Sequence, residues 1–526
     1  MTAMDLVSGR AAALDPYANR YIIAITVTMA AMMELLDTSI VNVAIPHMMG
    51  NLGATLDQIA WVATGYIVAN VIVLPITGWL SARFGRRRYF AGSIALFTIA
   101  SFFCGSSHTL ADLVFWRILQ GLGGGALLST AQAILYEVFP PAEYGTAMAI
   151  FGMGVMVGPT LGPTLGGYIT DTLSWPWIFY INLPFGALAL LLTLGFVGDS
   201  RHAEKVGPVD WFGLLLLVAG IGSLQTMLER GERFDWFASR QIVALAALSA
   251  VSLALFVWHE LRTPHPVMDL RILKSRQLAA GVIFAAALGA CLYGTVFLLP
   301  VYLQALQGFT ANQTGLVILP GAIASAVVMA VMGRNARLIN PRLSVLAGVA
   351  VYALAMFQWS RFTTESGMSD YFWPLILRGT GLGMIFVPLT NMSLADLPMA
   401  RIPNGTGLFN LSRQLGGSAG IAISATLLTR FQAIHHARLA ENVTAYGEVA
   451  RERLAAMTAG LIARGTPAPL AGTQAIGMLD GLVRRQALML SFESLFLIFG
   501  FAFLVALPLL ALMRKSRGYG AGAAAH

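Results

Sequence analysis

Two carboxylates, Glu34 and Asp37, lie inside the first long apolar run of the chain, which extends over residues 21–44. A helix of about 20 apolar residues crosses a bilayer, so this run is long enough to span one. A charge in a spanning helix costs about 2.5–3.5 kcal/mol on insertion scales, and such groups normally face a bundle interior or a wet cavity. Residues three apart are neighbours on one helix face. The sequence therefore predicts two proton-binding groups inside a membrane bundle.

Arg117 and Arg378 fall inside later apolar runs, at a predicted depth similar to that of Asp37. Each of the three lies about 10 Å from the outer end of its helix, at a rise of 1.5 Å per residue. A nearby arginine lowers the proton affinity of a buried acid, so moving the arginine or binding a cation would change that affinity. A proton-coupled carrier needs this behaviour; the alternative is a static structural ion pair.

Glu34 lies one turn deeper than Asp37, and no arginine is evident at its level. Because it is also an intramembrane acid, it is a candidate to bind a cationic substrate or a second proton. Arg413 is a third buried arginine, about 14 Å from the inner end of its helix, and its partner cannot be identified from spacing.

The composition is that of an all-α polytopic membrane protein. Of 526 residues, 57% are hydrophobic and 11% are charged, against about 25% charged in soluble domains. Apolar runs of helical length recur along the chain, whereas a barrel would show short alternating strands. The net charge of +8 comes from loops between spans and does not indicate binding to nucleic acid. Cys104 and Cys291 both lie in apolar runs, so no disulfide framework is expected.

Fourteen apolar runs are predicted to span the membrane. They lie near 21–44, 56–80, 89–107, 111–136, 144–169, 177–197, 209–228, 241–260, 277–305, 313–333, 343–360, 371–393, 404–430 and 489–513. With the N-terminus inside, the basic residues of the inner short loops are Arg10, Arg20, Arg83, Arg86, Arg87, Arg88, Arg201, Lys205, Arg262, Arg271, Lys274, Arg276, Arg334, Arg337, Arg342, Arg401, Arg514, Lys515 and Arg517. Those of the outer short loops are only Arg230, Arg233, Arg240 and Arg361. This asymmetry predicts that both termini are cytoplasmic and that the span count is even.

The chain shows a weak internal duplication. The stretch Arg117-Ile-Leu-Gln-Gly-Leu-Gly in span four resembles Arg378-Gly-Thr-Gly-Leu-Gly in span twelve. Such repeats are common in secondary transporters, whose binding site lies between the halves near the bilayer midplane. The predicted division is a cytoplasmic N-terminus at 1–20, a six-helix half at 21–200, two inserted helices with flanking loops at 201–276, a second six-helix half at 277–513 and a cytoplasmic tail at 514–526.

The second half contains one long outer loop, at 431–487. The loop is polar and rich in alanine, and it is predicted to be partly helical, as in the stretch from His436 to Leu461. It is interpreted either as a solvated loop or as a docking site for a partner.

Span five carries a regular row of glycines and two prolines. The glycines recur at every fourth position, which makes a smooth ridge that a neighbouring backbone can approach closely. The prolines each remove a backbone donor and are expected to kink the helix. We interpret the span either as a helix that only packs tightly or as one that also forms a sliding surface between two domains. These residues are Gly154, Gly158, Pro159, Gly162, Pro163, Gly166 and Gly167.

The inner loop between spans two and three is a tight basic turn. A positive-inside anchor explains its charge but not its two glycines, so the loop is a candidate inner gate. Its proposed members are Gly78, Arg83, Gly85, Arg86 and Arg87.

Four aromatic residues are candidates to line an apolar substrate cavity together with Arg378 and Arg413, although aromatics on membrane helices more often serve packing. They are Tyr66, Tyr293, Phe297 and Phe386.

Signatures of other functions are missing from the sequence. It contains no phosphate-binding Gly-x4-Gly-Lys-Ser/Thr motif, and His259-Glu260 lacks the second histidine of a zinc-protease motif. The Gly-rich stretch at 121–125 lies inside a spanning helix rather than after a strand. We therefore expect no metal, no cofactor and no enzyme activity; the energy source would be a proton gradient.

Together these motifs resemble the major facilitator superfamily and, within it, the fourteen-span drug:proton antiporters of the EmrB/QacA type. The resemblance covers nearly the whole chain. The motifs that carry it are Leu36-Asp-Thr-Ser-Ile-Val-Asn-Val-Ala-Ile-Pro46, the inner loop 78–88, the fourth-span stretch 117–125, the fifth-span stretch 154–167, Trp175–Pro184, Leu228–Phe237 and Arg413-Gln-Leu-Gly-Gly-Ser418.

The resemblance implies a major facilitator fold that exports lipophilic, often toxic compounds across the inner membrane in exchange for protons, by alternating access. It implies that Asp37 and Arg117 couple transport to protons and that span five is the hinge for export. The long outer loop is more similar to the EmrB branch, which works with a periplasmic adaptor (a membrane fusion protein) and an outer-membrane channel. One departure is Ala82, where the inner-loop motif usually has Asp; the charge network of the gate must then use other partners or be weaker.

The rival interpretation within transport is a dedicated exporter of one metabolite, siderophore, antibiotic or fatty acid. Uptake by symport is less compatible with the fifth-span motif. A membrane-embedded enzyme would need a metal or nucleophile constellation, and a receptor that does not transport would tolerate the loss of Asp37.

Overall fold

The computed structural model describes residues 19–200, 207–444 and 446–513. Most of the predicted N-terminal segment and all of the tail, with Arg10, Arg201, Lys205, Arg514, Lys515 and Arg517, lie outside the described residues. The described chain is all-helical. Its α-helices are α1 (Arg20–Leu52), α2 (Leu56–Val73), α3 (Thr77–Phe84), α4 (Arg86–Gly105), α5 (Leu110–Val138), α6 (Tyr144–Thr172), α7 (Trp177–Tyr180), α8 (Asn182–Phe196), α9 (Trp211–Arg230), α10 (Arg240–Arg262), α11 (Arg276–Val301), α12 (Ala311–Arg334), α13 (Pro341–Trp359), α14 (Phe372–Leu394), α15 (Ile402–Ala440), α16 (Glu448–Ala463), α17 (Ala468–Val505) and α18 (Leu509–Leu512).

Thirteen helical segments within the described residues are long and apolar enough to cross a membrane. They correspond to every predicted span except the run at 404–430, which lies in α15. This helix is more polar than the others because it carries Asn410, Arg413 and Gln414. The all-α architecture predicted from composition is confirmed.

The predicted outer loop at 431–487 is mostly helical. α15 continues to Ala440, α16 follows, and α17 begins at Ala468. The stretch from His436 to Leu461 is not one helix, because a turn separates α15 from α16. α16 packs on α17, and a hydrogen bond of 2.9 Å joins His436 Nε2 and Asp480 Oδ1 between α15 and α17.

The glycine row of span five packs against the helix that carries the two acids. α6 is one continuous helix that includes Pro159 and Pro163, and it lies along α1. A Cβ atom on Gly158 would come within 3.1 Å of the Met32 carbonyl oxygen, and one on Gly162 would overlap the Ser39 side chain. The row therefore brings the α1 backbone close to α6.

We expect Gly162→Val to destabilise the protein by about 1–3 kcal/mol, because added atoms in a filled interface force the two helices apart. The matched control is Gly195→Val on α8, where a Cβ would meet nothing within 4 Å. The measurement is the thermal unfolding temperature of the purified variants in one detergent. Equal shifts in the two variants would show that α1 and α6 are not in close contact.

Helices from the two ends of the chain meet at the predicted cytoplasmic end. A Cβ on Gly78 would overlap the Asn404 side chain at the start of α15, and Tyr136 donates a hydrogen bond of 2.8 Å to Asn391 Oδ1. α6 packs along α12. The inserted pair, α9 and α10, pack on each other, and α9 also contacts α2 and α15.

Candidate functional site

An ion pair lies at the centre of the first group of helices. Asp37 on α1 accepts a hydrogen bond of 2.5 Å from Arg117 Nη1 on α5. The two side chains are 0% and 1% exposed, so the pair is removed from solvent. The structure thus brings together the acid and the arginine that were placed at one depth from sequence. An ion pair buried this fully depends on further hydrogen bonds to offset its desolvation.

Two neutral side chains donate to the carboxylate of Asp37, and a third side chain links them. Gln120 Nε2 and Asn182 Nδ2 each donate to Asp37 Oδ1 at 2.9 Å. Both amides also donate to Ser101 Oγ at 3.0 Å. Ser101 in turn donates to the Phe179 carbonyl at 3.1 Å. The carboxylate therefore has hydrogen-bond donors on both of its oxygens.

The guanidinium of Arg117 is held on several sides. Its Nε donates to the Val62 carbonyl at 3.0 Å, and Nη1 also donates to Gln120 Oε1 at 2.7 Å. The ring of Tyr66 lies 4.1 Å from its Cζ, at the distance of a cation–π contact. Tyr66, predicted as a cavity residue, is thus part of the ion-pair site. These contacts hold the guanidinium in place beside Asp37.

Glu34 occupies a second, separate polar cluster. It is 3% exposed and accepts a hydrogen bond of 2.8 Å from Asn70 Nδ2 at Oε1. Its Oε2 is buried without a hydrogen-bond partner among the described residues. The same holds for the hydroxyl of Tyr66. An acid with a free oxygen in a buried site can accept a proton or a hydrogen-bond donor from a ligand.

The sequence analysis found no arginine evident at the level of Glu34, and the structure gives this acid a charged neighbour. Arg413 of α15 lies close enough for direct electrostatic attraction. Arg413 is 1% exposed and donates to Tyr293 Oη at 3.2 Å and to Asn410 Oδ1 at 3.3 Å. The two depths were counted from opposite membrane faces: Glu34 is about 15 Å from the outer end of its helix and Arg413 about 14 Å from the inner end. Across a hydrocarbon core of about 30 Å these two depths coincide.

The other proposed cavity residues are spread over several places. Arg378 donates to Thr295 Oγ1 at 3.3 Å and, with Tyr293, lines a small cavity of about 30 Å³. Phe386 is buried beside Gly152 of α6. Phe297 is half-buried and packs on the core. The structure therefore groups Arg378 with Tyr293 but does not join all six predicted residues into one cavity.

The inner loop is a short helix, a glycine turn and a new helix. Gly85 has a φ of 84°, in the left-handed region that favours glycine. Arg86 forms an ion pair with Glu137, and the backbone N–H of Arg87 donates to Asp199 Oδ1 at 3.2 Å. Arg83 is exposed. Ala82 stands where the inner-loop motif usually has Asp, and the charge network of this loop uses Glu137 and Asp199.

The residues that the sequence analysis missed are neutral and polar. Gln120 lies three residues after Arg117, on the same helix face, and Asn182 lies in the quoted stretch that ends at Pro184. Both are polar residues within or beside apolar runs, and that signal could have identified them. Ser101 and Asn70 carry the same signal more weakly.

Comparison with known proteins places this fold in a family. Residues 27–421 match the sequence model of the Major Facilitator Superfamily. The chain is 37% identical to the multidrug export protein EmrB of Escherichia coli (strain K12), over 95% of this chain and 96% of that protein. It is 35% identical to the fatty acid resistance protein FarB of Neisseria gonorrhoeae, over 95% of this chain and 97% of that protein.

A solved structure shows the same fold at low sequence identity. The crystal structure of the human organic anion transporter MFSD10 (TETRAN) matches with a TM-score of 0.57 and 14% identity, covering 92% of this chain and 99% of that chain. This similarity concerns the fold alone. From the family match and the relatives, the chain belongs to the major facilitator superfamily, in its EmrB branch.

Proposed function

We propose that this multi-pass inner-membrane protein exports lipophilic or toxic small molecules in exchange for protons, by alternating access. Membership of a transporter family and the name of the EmrB relative support export of several compounds. The observation that carries proton coupling is the buried pair of Asp37 and Arg117 with its ring of amide donors. Intramembrane ionisable groups of this kind mark proton and substrate pathways.

In the proposed cycle, a proton from outside reaches Asp37 and neutralises it. Loss of the negative charge weakens the attraction of Arg117 and frees donors on Gln120 and Asn182. The helices α1, α5 and α8, which carry these groups, can then move relative to one another into a second conformation. Glu34, beside Arg413, is the candidate for a second proton or for a cationic substrate. No cofactor takes part; the proton gradient supplies the energy.

The proposed topology has fourteen spans with both termini in the cytoplasm. The span that completes this count is the thirteenth in order, α15, which packs along α5 and α11. Its Asn410 and Arg413 contact Gln132 of α5 and Tyr293 of α11. The first half is 21–200, the inserted pair lies in 201–276, and the second half is 277–513. The arrangement of basic residues in short loops supports this orientation.

The proposed partners are a small-molecule substrate, the lipid bilayer, a periplasmic adaptor and an outer-membrane channel. Support for an adaptor comes from the helical outer segment, in which α15 and α17, of 39 and 38 residues, continue past the apolar runs and α16 packs on α17. Nucleic acid is not among the partners.

A second candidate is a dedicated exporter of one metabolite, siderophore, antibiotic or fatty acid. The fatty acid resistance protein FarB is 35% identical over 95% of this chain, close to the 37% of the multidrug relative over the same share. The two candidates share one mechanism and differ in the breadth of the substrate cavity.

The test is substrate-driven proton release in inside-out vesicles, over a panel of lipophilic cations, weak acids and neutral drugs. We expect several compounds to dissipate the gradient in vesicles that contain the protein and none to do so in empty vesicles. A response to one compound only would favour the dedicated exporter. No response to any compound, from protein shown to be folded, would contradict proton-coupled export.

A further inference from the structure

The second group of helices contains a counterpart of the buried ion pair, but without its acid. Arg378 lies near the start of α14 as Arg117 lies near the start of α5, and the stretches that follow the two arginines resemble each other. α14 packs on α11, as α5 packs on α1. Arg117 donates to Asp37 of α1, whereas Arg378 Nε donates to Thr295 Oγ1 of α11 at 3.3 Å. A hydroxyl thus stands where the first half has a carboxylate.

Arg378 has no counter-charge among the described residues. It is 6% exposed, and none of the ion pairs in the described part of the chain includes it. The ionisable group that acts on it electrostatically is the hydroxyl of Tyr352, which is uncharged near neutral pH. A buried charge without an opposite charge is strongly unfavourable. The site therefore favours an anion from outside the chain.

The guanidinium of Arg378 also has unused donors. Its bond to Thr295 is made by Nε and is its only hydrogen bond to a described residue. Its two terminal nitrogens therefore lack partners there, and neither is fully enclosed by protein. A guanidinium has five N–H donors, so most of them remain available to a ligand.

A cavity of about 30 Å³ borders Arg378 at the seam between the two halves. Its walls come from α6 in the first half and from α11, α12 and α14 in the second. Apart from Arg378, the polar side chains in these walls are Thr160, Tyr293 and Ser325, and no acid lines the cavity among the described residues. Hydroxyl groups can donate to an anion, so the polar part of the wall is compatible with one.

The size and charge of the cavity limit what it can hold. One water molecule needs about 10–15 Å³, so a cavity of about 30 Å³ takes a very small ligand and not a lipophilic drug. A cation would meet the charge of Arg378 with no acid to offset it, and water would leave that charge unbalanced. A small anion fits both the volume and the charge.

We propose that this cavity binds a small singly charged anion, chloride or a small carboxylate, which gives Arg378 the negative charge that Asp37 gives Arg117. The anion would lie beside the terminal nitrogens of Arg378. Because a ligand favours the arrangement that it binds best, and the walls belong to both halves, the anion would favour the arrangement in which α6 packs on α12 and α14. The proposal concerns binding and does not rest on proton-coupled export.

The experiment measures thermal unfolding of the full-length protein in a neutral detergent. The probes are sodium chloride and sodium acetate, and the reference is sodium methanesulfonate, which has a larger monovalent anion, at the same ionic strength. A ligand that binds the folded protein stabilises it by mass action. We therefore expect the unfolding temperature of the wild type to rise with chloride concentration, relative to the reference salt. A rise with acetate alone identifies a carboxylate as the anion.

Two variants and one control tie the response to Arg378. Arg378→Gln removes the charge and is expected to abolish the difference between the probe and the reference salt. Thr295→Asp places a carboxylate beside Arg378, as Asp37 lies beside Arg117, and is expected to abolish it as well. Arg361→Gln removes an exposed charge elsewhere and should respond like the wild type. Each protein is compared with itself in the two salts, so a change in its own stability does not affect the result.

The proposal is overturned if neither probe raises the unfolding temperature of the wild type above that in the reference salt. It is also overturned if Arg378→Gln or Thr295→Asp responds as strongly as the wild type. If Arg378→Gln does not fold, Thr295→Asp alone decides, because it keeps the arginine and supplies the charge that the anion would bring.

Discussion

Replacing Asp37 by asparagine is expected to reduce substrate-driven proton release in inside-out vesicles to the level of empty vesicles. Asparagine has nearly the shape of aspartate, and its side-chain oxygen can still accept from Gln120 and Asn182, which now donate to Asp37 Oδ1. It cannot bind and release a proton at working pH. The variant also leaves the buried Arg117 cation without its carboxylate, which lowers stability, although Arg117 keeps its bonds to the Val62 carbonyl and to Gln120 Oε1. We therefore expect a lower unfolding temperature in a protein that still folds but does not release protons, which a thermal unfolding measurement on the same sample would show.

Two matched variants separate this effect from a general loss of charge. Asp171→Asn alters an exposed acid on α6 and should leave proton release unchanged. Glu34→Gln keeps the acceptor for Asn70 and lies outside the Asp37 network, so measurable release should remain. Full release by Asp37→Asn together with none by Glu34→Gln would reassign the proton to Glu34 and contradict the proposed cycle.

The placement of the ion pair could be predicted from sequence because the depth of a residue in the membrane follows from counting residues along its helix. Each residue adds about 1.5 Å, so residues at equal distances from one membrane face share a level. Asp37 and Arg117 were identified in this way, and the structure joins them at 2.5 Å. The same count places Arg378 at that level too, yet it contacts Thr295 instead. Depth selects a level but not a neighbour.

Neighbours depend on the rotation and order of the helices, which hydropathy does not specify. Arg413 attracts Glu34 electrostatically because α15 packs against α5 of the first group of helices, although the two residues are far apart in the sequence. Gln120 and Asn182 were missed because a neutral amide costs less to bury in a membrane than a charge does, so it is a weaker signal within or beside an apolar run. α15 shows why hydropathy alone can miss a spanning helix: a helix that is enclosed by other helices can carry polar residues.

The outer segment illustrates a second kind of limit. Composition indicated a polar loop at 431–487. Inside the membrane an apolar run of about 20 residues marks where a helix begins and ends, but polar residues outside the membrane give no such mark. α15 and α17 instead continue past the apolar runs. Alanine has the highest helix propensity, and its abundance in this segment was the available signal that the loop would be helical.

Replacing Arg117 by glutamine should have the largest effect on stability. It removes the bonds to Asp37, Gln120 and the Val62 carbonyl and leaves a buried carboxylate without its cation. Breaking a buried ion pair from one side costs about 3–5 kcal/mol, so the unfolding temperature in detergent should fall sharply and transport should be lost.

The double variant Asp37→Asn/Arg117→Gln distinguishes a structural ion pair from a proton site. Removing both charges leaves neutral groups that can hydrogen-bond, so we expect it to unfold closer to the wild type than Arg117→Gln does, because replacing a whole buried pair is often nearly neutral. If the pair served only the fold, regained stability would bring back substrate-driven proton release. If Asp37 carries the proton, stability returns and proton release does not. A stable double variant that transports would therefore refute the coupling role, whereas a stable and inactive one would separate that role from folding.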